Sequence, residues 1–225
     1  MSKLIIMHDI ETLSLSGIAV ITQLGYAAAD SVSPTEFIDG FSRDLPCQPQ
    51  LDIGREIQYS TLLFWLKQPE EARNHLLNLE GDADELKSIL KRYLRGVEEL
   101  VTPYRRAGKP VEFWARGPQF DMANIGGLLS QFGLPIPWGY DEVRDLRTLM
   151  NEAGVKSADV ERNPEWILHS ALDDSKFQLG GYAAAQTALG QRLGDDLGVL
   201  HHLLLIGLEL GRQRFLERGH VALAV

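Results

Sequence analysis

Two carboxylates at the end of one apolar run constrain this chain more than any other feature. Leu4, Ile5, Ile6 and Met7 lead through His8 into Asp9-Ile10-Glu11-Thr12. A run of this kind reads as a buried strand. Positions i and i+2 of a strand point to the same face, so Asp9 and Glu11 stand side by side at its end. Adjacent acids repel, and removal from water penalises each of them. A fold keeps such a pair by placing positive charge between them, for which a divalent cation with oxygen ligands suffices. The plainer alternative is a strand that ends in water with both acids solvated.

Composition narrows the setting. A chain of 225 residues with 44% hydrophobic and 24% charged residues has the make-up of a globular domain with a sizeable core. Its single cysteine, Cys47, allows no internal disulfide, which fits a reducing cytoplasm. The apolar run after Met1-Ser2-Lys3 is too short for the core of a signal peptide. No stretch approaches the roughly 18 apolar residues that span a membrane. The expectation is a cytoplasmic protein without membrane contact. A net charge of −9 and a pI near 5.2 argue against wrapping duplex by phosphate neutralisation. An enzyme that grips a strand end is still allowed, because bound cations supply positive charge where it is needed.

Along the chain, Ile18 to Ala27 reads as a second strand, a hairpin partner of the first, and Glu36 to Phe41 as a third. Residues 42–58, with Pro46 and Pro49, read as a surface excursion. Ser60 is placed to cap a short helix carrying Leu62, Leu63, Trp65 and Leu66. Pro69 restarts a helix with Glu70 and Glu71 in its first turn. Leu86, Ile89, Leu90, Tyr93, Leu94, Val97 and Val101 give a helical stripe over Ala83 to Arg106. Val111 to Ala115 is a fourth strand, broken by Gly117-Pro118, and a helix runs from Phe120-Asp121 to about Phe132. A short strand near Glu142-Val143 leads to a helix from Leu146 to Ala153, and residues 155–166 look irregular. After His169 the chain reads as helix, with breaks at Gly180-Gly181 and Gly194. No internal repeat or linker divides the chain, so one domain over 1–225 is expected. Strands first, then strands alternating with helices, suit an α/β fold: a mixed sheet with helices on its faces.

Two further segments carry acids of interest. Phe113-Trp114-Ala115-Arg116-Gly117-Pro118-Gln119-Phe120-Asp121 delivers Asp121 at the start of a helix, where it also reads as an ordinary cap. His169-Ser170-Ala171-Leu172-Asp173-Asp174 places a histidine and acids at a loop-to-helix boundary. The ordered trio resembles the DEDDh 3′→5′ exonuclease superfamily, whose fold is RNase H-like (DnaQ-like). Within it, the Ser60-Thr61 to Trp65 segment and Arg144-Asp145-Leu146-Arg147-Thr148 look most like the phage DexA-type and related small bacterial enzymes.

The resemblance implies an RNase H-like mixed sheet of about five strands, the first three antiparallel, flanked by helices. It implies hydrolysis of phosphodiester bonds at the 3′ end of single-stranded DNA or RNA, with release of nucleoside 5′-monophosphates. Asp9, Glu11, Asp121 and Asp174 are then the ligands of two Mg²⁺ or Mn²⁺ ions about 3.5–4 Å apart, Asp9 bridging. His169 is the general base, a task its ordinary pKa suits. Only the family spacing chooses Asp174 over Asp173. Thr12 and the Leu13 backbone are implied as contacts to the terminal nucleotide, with Phe120 wedged against its base and Trp65 a further stacking candidate. Trp114 reads better as sheet core. Arg116, Arg144, Arg147 and Lys176 flank the site as phosphate contacts or as plain surface. Relatives imply a homodimer, for which Leu203 to Leu210 is long enough, and His201-His202 reads as a core or interface pair. The competing classes are a non-catalytic nucleic-acid-binding module, an endonuclease and a small-oligonucleotide phosphodiesterase on the same fold.

Overall fold

The computed structural model describes residues 2–193 and 197. Strands β1 (Leu4–Thr12), β2 (Ile21–Asp30), β3 (Phe37–Asp44), β4 (Val111–Ala115) and β5 (Val143–Asp145) form one sheet. Its order is β3-β2-β1-β4-β5. The first three strands pair antiparallel, and β4 and β5 run parallel to β1. The fold is therefore α/β with a mixed sheet, as the sequence pattern implied. The apolar run of β1 belongs at the centre because both of its faces are covered.

Helices α1 (Gln48–Asp52), α2 (Tyr59–Leu66), α3 (Glu70–Arg73), α4 (Ala83–Arg106), α5 (Asp121–Gln131) and α6 (Leu146–Ala153) lie around the sheet, followed by α7 over 171–193. On one face, Leu4, Ile6 and Ile10 pack with Leu90, Tyr93 and Val97 of α4 and with Ile125 and Leu129 of α5. On the other, Ile5 and Met7 pack with Leu146 and Met150 of α6 and with Leu179 and Tyr182 of α7. Trp114 joins this second core, in line with its sheet-core reading. The alternation along β1 sends His8 to the α4 face and Asp9 and Glu11 to the α7 face. His8 is fully buried, shares a 2.9 Å hydrogen bond between Nε2 and Tyr93 Oη, and is driven by desolvation to a pKa of about 3.

The stripe read on α4 is the buried one, and the helix is capped as its ends require. Asp82 accepts from the Glu85 amide, and Arg105 and Arg106 lie in the last turn. Other expectations change. The second strand starts at Ile21, three residues late, because Ala19 instead bridges Glu56 and Val20 donates to the Glu56 carbonyl. The third strand extends to Asp44 by pairing along β2. Residues 42–58 are not a surface excursion. Gln50 is fully buried and clamps both the amide (2.9 Å) and the carbonyl (2.7 Å) of Ile21. Arg55, 3% exposed, donates to the Ala19 carbonyl, to Gln131 and to Asn124, and burial lowers its pKa to about 10. Polar side chains here do what strand neighbours do elsewhere, which hydropathy does not register. The helix expected at Ser60 begins at Tyr59 after Gln58, whose amide and side chain tie to Leu13 and Leu15.

Gly180-Gly181 does not break α7. A Cβ on Gly181 would stand 3.1 Å from Met150 Sδ, and one on Gly180 would stand 3.2 Å from Val160 Cγ1. The glycines let α7 seat closely on α6 and the 155–166 segment, and packing outweighs their poor helix propensity. Gly194, His201-His202 and the proposed dimer stretch Leu203 to Leu210 lie outside the described residues. No helix among the described residues is long and apolar enough to cross a membrane.

Gly25 fixes the distance between α7 and the sheet. It pairs with Asp9, and a Cβ on it would lie 2.7 Å from the Ala171 carbonyl carbon. Gly25→Ala is expected to cost about 1–3 kcal/mol by overpacking, read as a lower denaturant midpoint at unchanged slope. An unchanged midpoint would show that α7 is not seated this closely.

Candidate active site at the sheet edge

The parallel pairing of β1 with β4 is what assembles the site. Parallel neighbours end at the same edge of a sheet, so the Asp9–Glu11 end of β1 lies beside the turn that follows β4. That turn, Gly117-Pro118, opens α5 with Asp121 as its first residue. On the opposite face, the start of α7 brings His169 and Asp174 to the same edge.

One ligand atom from each of Glu11, His169 and Asp174 lies within 4.8 Å of the others. The charges of Asp121 and Asp174 both act on Asp9 and on Glu11. The structure thus brings together all five residues picked from the sequence. Burial pushes the Asp9 carboxyl well up, and Glu11, Asp121 and Asp174 add to the rise; a 2.7 Å hydrogen bond from Gln178 Nε2 opposes it. Burial also raises Glu11, reinforced by the charges of Asp174 and Asp121. Asp121 rises to about 7, again through burial, with its own amide, that of Ile10 and the Arg147 charge pulling the other way. Three largely buried carboxylates, none of them in an ion pair among the described residues, form an oxygen-only donor set. That is the kind of ligand set a hard divalent cation takes.

Asp174 and Asp173 separate clearly. Asp174 faces Glu11 and receives Arg162 Nη2 at 2.5 Å. Asp173 accepts from the Ile167 amide and from Lys176 Nζ, both at 3.1 Å. It holds the loop before α7 and does not cap the helix. Gln23 does part of that work, accepting from the Ala171 amide at 2.7 Å.

His169 has φ +60°, the only non-glycine residue in the left-handed region among the described residues. Such a backbone is costly for a side chain with a Cβ and is kept where surrounding contacts over-determine it. Phe64 and Trp65 meet the imidazole edge-on at 5.2 and 5.8 Å. Burial lowers the His169 pKa and Arg162 adds to this, while Asp174 works against it. The net shift favours the neutral ring.

A cleft of about 450 Å³ opens beside Glu11 and His169, walled by Thr12, Phe64, Trp65 and Phe120 among others. Trp65 is 2% exposed, and its indole N–H donates to the Thr12 carbonyl at 2.9 Å. Leu13 is turned away from this cleft. Its side chain packs with Val20 and Trp65, its amide donates to Val20, and its carbonyl accepts from Gln58. Three residues at the site escaped sequence reasoning. Gln178 was within reach, since it lies one helical turn after Asp174. Arg162 and Phe64 carry no local signal; only the fold brings them here.

The five-stranded sheet thus carries its acidic edge at the end of the central strand. The family model of the 3′-5′ exoribonuclease Rv2179c-like domain matches residues 5–185. The chain belongs to that family. Among solved structures, the nuclease domain of 3′hExo, a DEDDh family member bound to rAMP, is similar at 14% identity and a TM-score of 0.50. The match covers 82% of this chain and 92% of that one. Cell-death related nuclease 4 (CRN-4) matches at 12% identity and a TM-score of 0.39, over 80% of this chain and 62% of that one. The first of these is a likeness of fold. No curated protein sequence matches the chain.

The raised carboxyl pKa values give a signed expectation. Native Asp9, Glu11 and Asp121 keep protons to higher pH than the 3.8 to 4.5 of free carboxyls. Their contribution to stability is therefore full below a pH of about 4 and is lost in the cation-free chain as pH rises through each raised pKa, about 7 for Asp121. Millimolar Mg²⁺ is expected to raise the Tm more at pH 8 than at pH 5, by mass action on the charged form. Asp9→Asn should raise the cation-free Tm at pH 8 and shrink the Mg²⁺ response. A Tm that responds to Mg²⁺ equally in both chains and at both pH values would contradict this.

Proposed function

We propose that the chain is a 3′→5′ exonuclease that removes nucleoside 5′-monophosphates from single-stranded RNA, with divalent cations held by Asp9, Glu11, Asp121 and Asp174. The observation that carries this reading is the meeting of crowded, largely buried carboxylates with a histidine whose pKa is lowered, beside a cleft of about 450 Å³. Membership of an exoribonuclease family favours RNA over DNA. When bound, two Mg²⁺ or Mn²⁺ ions supply charge for the phosphate and make a water easier to deprotonate.

The chain's own groups account for the rest. Phe64 and Phe120 present apolar faces to the terminal base, and such contacts tolerate any base. Trp65 acts by holding Thr12 in place under the sugar. His169 Nδ1 or Nε2 takes the proton of the attacking water. Water adds to phosphorus, the bond to the 3′ oxygen of the preceding nucleotide breaks, and the terminal residue leaves as a 5′-monophosphate. Phe64 and Trp65 fix the imidazole, so that its left-handed backbone is held by packing and not by the substrate. Arg162 neutralises Asp174 when no cation does so.

The test is digestion of matched end-labelled RNA and DNA single strands, and of a circular single strand. The circle should stay intact and RNA should be shortened from its 3′ end. EDTA, Asp9→Asn and Asp174→Asn should each abolish turnover, and His169→Ala should lower kcat by roughly 10²–10⁴-fold. Shortening that survives chelation, or a cut circle, would falsify the reading.

A further inference from the structure

We propose that a second, basic cleft on the β4–α6 side of the acidic edge carries the phosphates of the strand upstream of the scissile bond, and that Arg116, Arg147 and Lys156 are its contacts. This rests on the exonuclease reading and extends it from one nucleotide to a strand path.

Charge is the first argument. The chain carries a net −9, so grouped cations without acidic partners stand out. Near the acidic edge most basic groups are already paired: Arg162 with Asp174, Lys176 with Asp173 at 3.1 Å and Arg144 with Glu112 at 3.8 Å. Among the described residues, Arg116, Arg147 and Lys156 make no ion pair. All three are exposed, and they converge on a cleft of about 200 Å³ that also exposes Asn151 and Ser157.

Position is the second. Arg116 directly follows β4, Arg147 lies in the first turn of α6, and Lys156 follows that helix. Arg147 Nη2 donates to the Arg116 backbone carbonyl at 3.1 Å, which holds the Arg147 guanidinium beside residue 116. Arg147 Nη2 also lies 3.5 Å from where a Cβ on Gly117 would stand, in the turn that leads to Asp121, so the cleft begins where the acids end. The apolar cleft with Phe64 and Phe120 opens on the other side, beside β1 and α2. The sheet order therefore sets an apolar cleft, the acids and a basic cleft in a row. A strand lying along that row has its terminal base against aromatic faces, its last phosphodiester on the acids and its next phosphates on arginine and lysine. Those are the chemistries each part of a single strand seeks.

Binding of a labelled RNA octanucleotide and a dinucleotide, followed by fluorescence anisotropy across a range of NaCl concentrations, tests this. The measurements use the Asp9→Asn chain in Mg²⁺, so that no strand is consumed. Each lost phosphate contact lowers the slope of log affinity against log salt by about 0.7 for single strands. Adding Arg116→Gln and Lys156→Gln together should weaken octanucleotide binding several-fold and lower its slope by about 1.4, leaving the dinucleotide unchanged. Arg147→Gln, made separately because it also faces Asp121, should lower the octanucleotide slope by about 0.7. An unchanged slope, an equal loss for both lengths, or an octanucleotide that does not bind would overturn the proposal. Turnover by the unsubstituted chain is measured apart, so a failure of the catalytic reading leaves the slope experiment standing.

Discussion

The structure is arranged around a repulsion. Asp9, Glu11 and Asp121 stand at one sheet edge, largely out of bulk water; Glu11 and Asp121 raise the proton affinity of Asp9, and Asp121 raises that of Glu11. Gln178, the amides of Asp121 and Ile10, and the Arg147 charge oppose this. Such an arrangement is unfavourable on its own, since buried charge without a partner is among the costliest features a fold can hold. It persists because β1 is anchored on both faces, by α4 and α5 on one side and by α6 and α7 on the other. The residues that stabilise β1 are thus the ones that keep the acids together.

The two faces of β1 have opposite duties. His8 points into the α4 core, stays neutral under desolvation and shares a hydrogen bond with Tyr93. One residue on, Asp9 points to α7 and stays open enough to meet a ligand. The difference between an inert buried histidine and a reactive carboxylate is a single step of the strand's alternation. A slip of one residue in register would exchange them, and the antiparallel pairing with β2 on one side and the parallel pairing with β4 on the other oppose that slip.

The placement of His169 depends on α7, and α7 depends on residues far from it in sequence. Gly25 lets it approach β2, Gln23 caps its first amide, and the paired glycines let it lie on α6. These contacts explain why a left-handed histidine is retained just before the helix: the chain must turn sharply to bring residue 169 beside Glu11 while Asp174 enters from the following turn.

Local order was written plainly in the sequence. The acid pair on β1, the stripe of α4, the β4 run ended by Gly117-Pro118, and the bounds of α6 all follow from periodicity and turn chemistry among neighbours. The order of the acidic segments was legible too, because their residue types and spacing are local. What lay hidden were contacts between distant residues: Arg162 on Asp174, Gln50 standing in for a strand at Ile21, Arg55 buried in a segment that hydropathy reads as loop. Gly180-Gly181 shows the limit most simply, since helix propensity favours a break there and close packing on Met150 and Val160 removes it. Sequence alone determined which side chains were available for chemistry. Tertiary structure decided their protonation and their neighbours, because burial and through-space charge arise only once the chain has closed on itself.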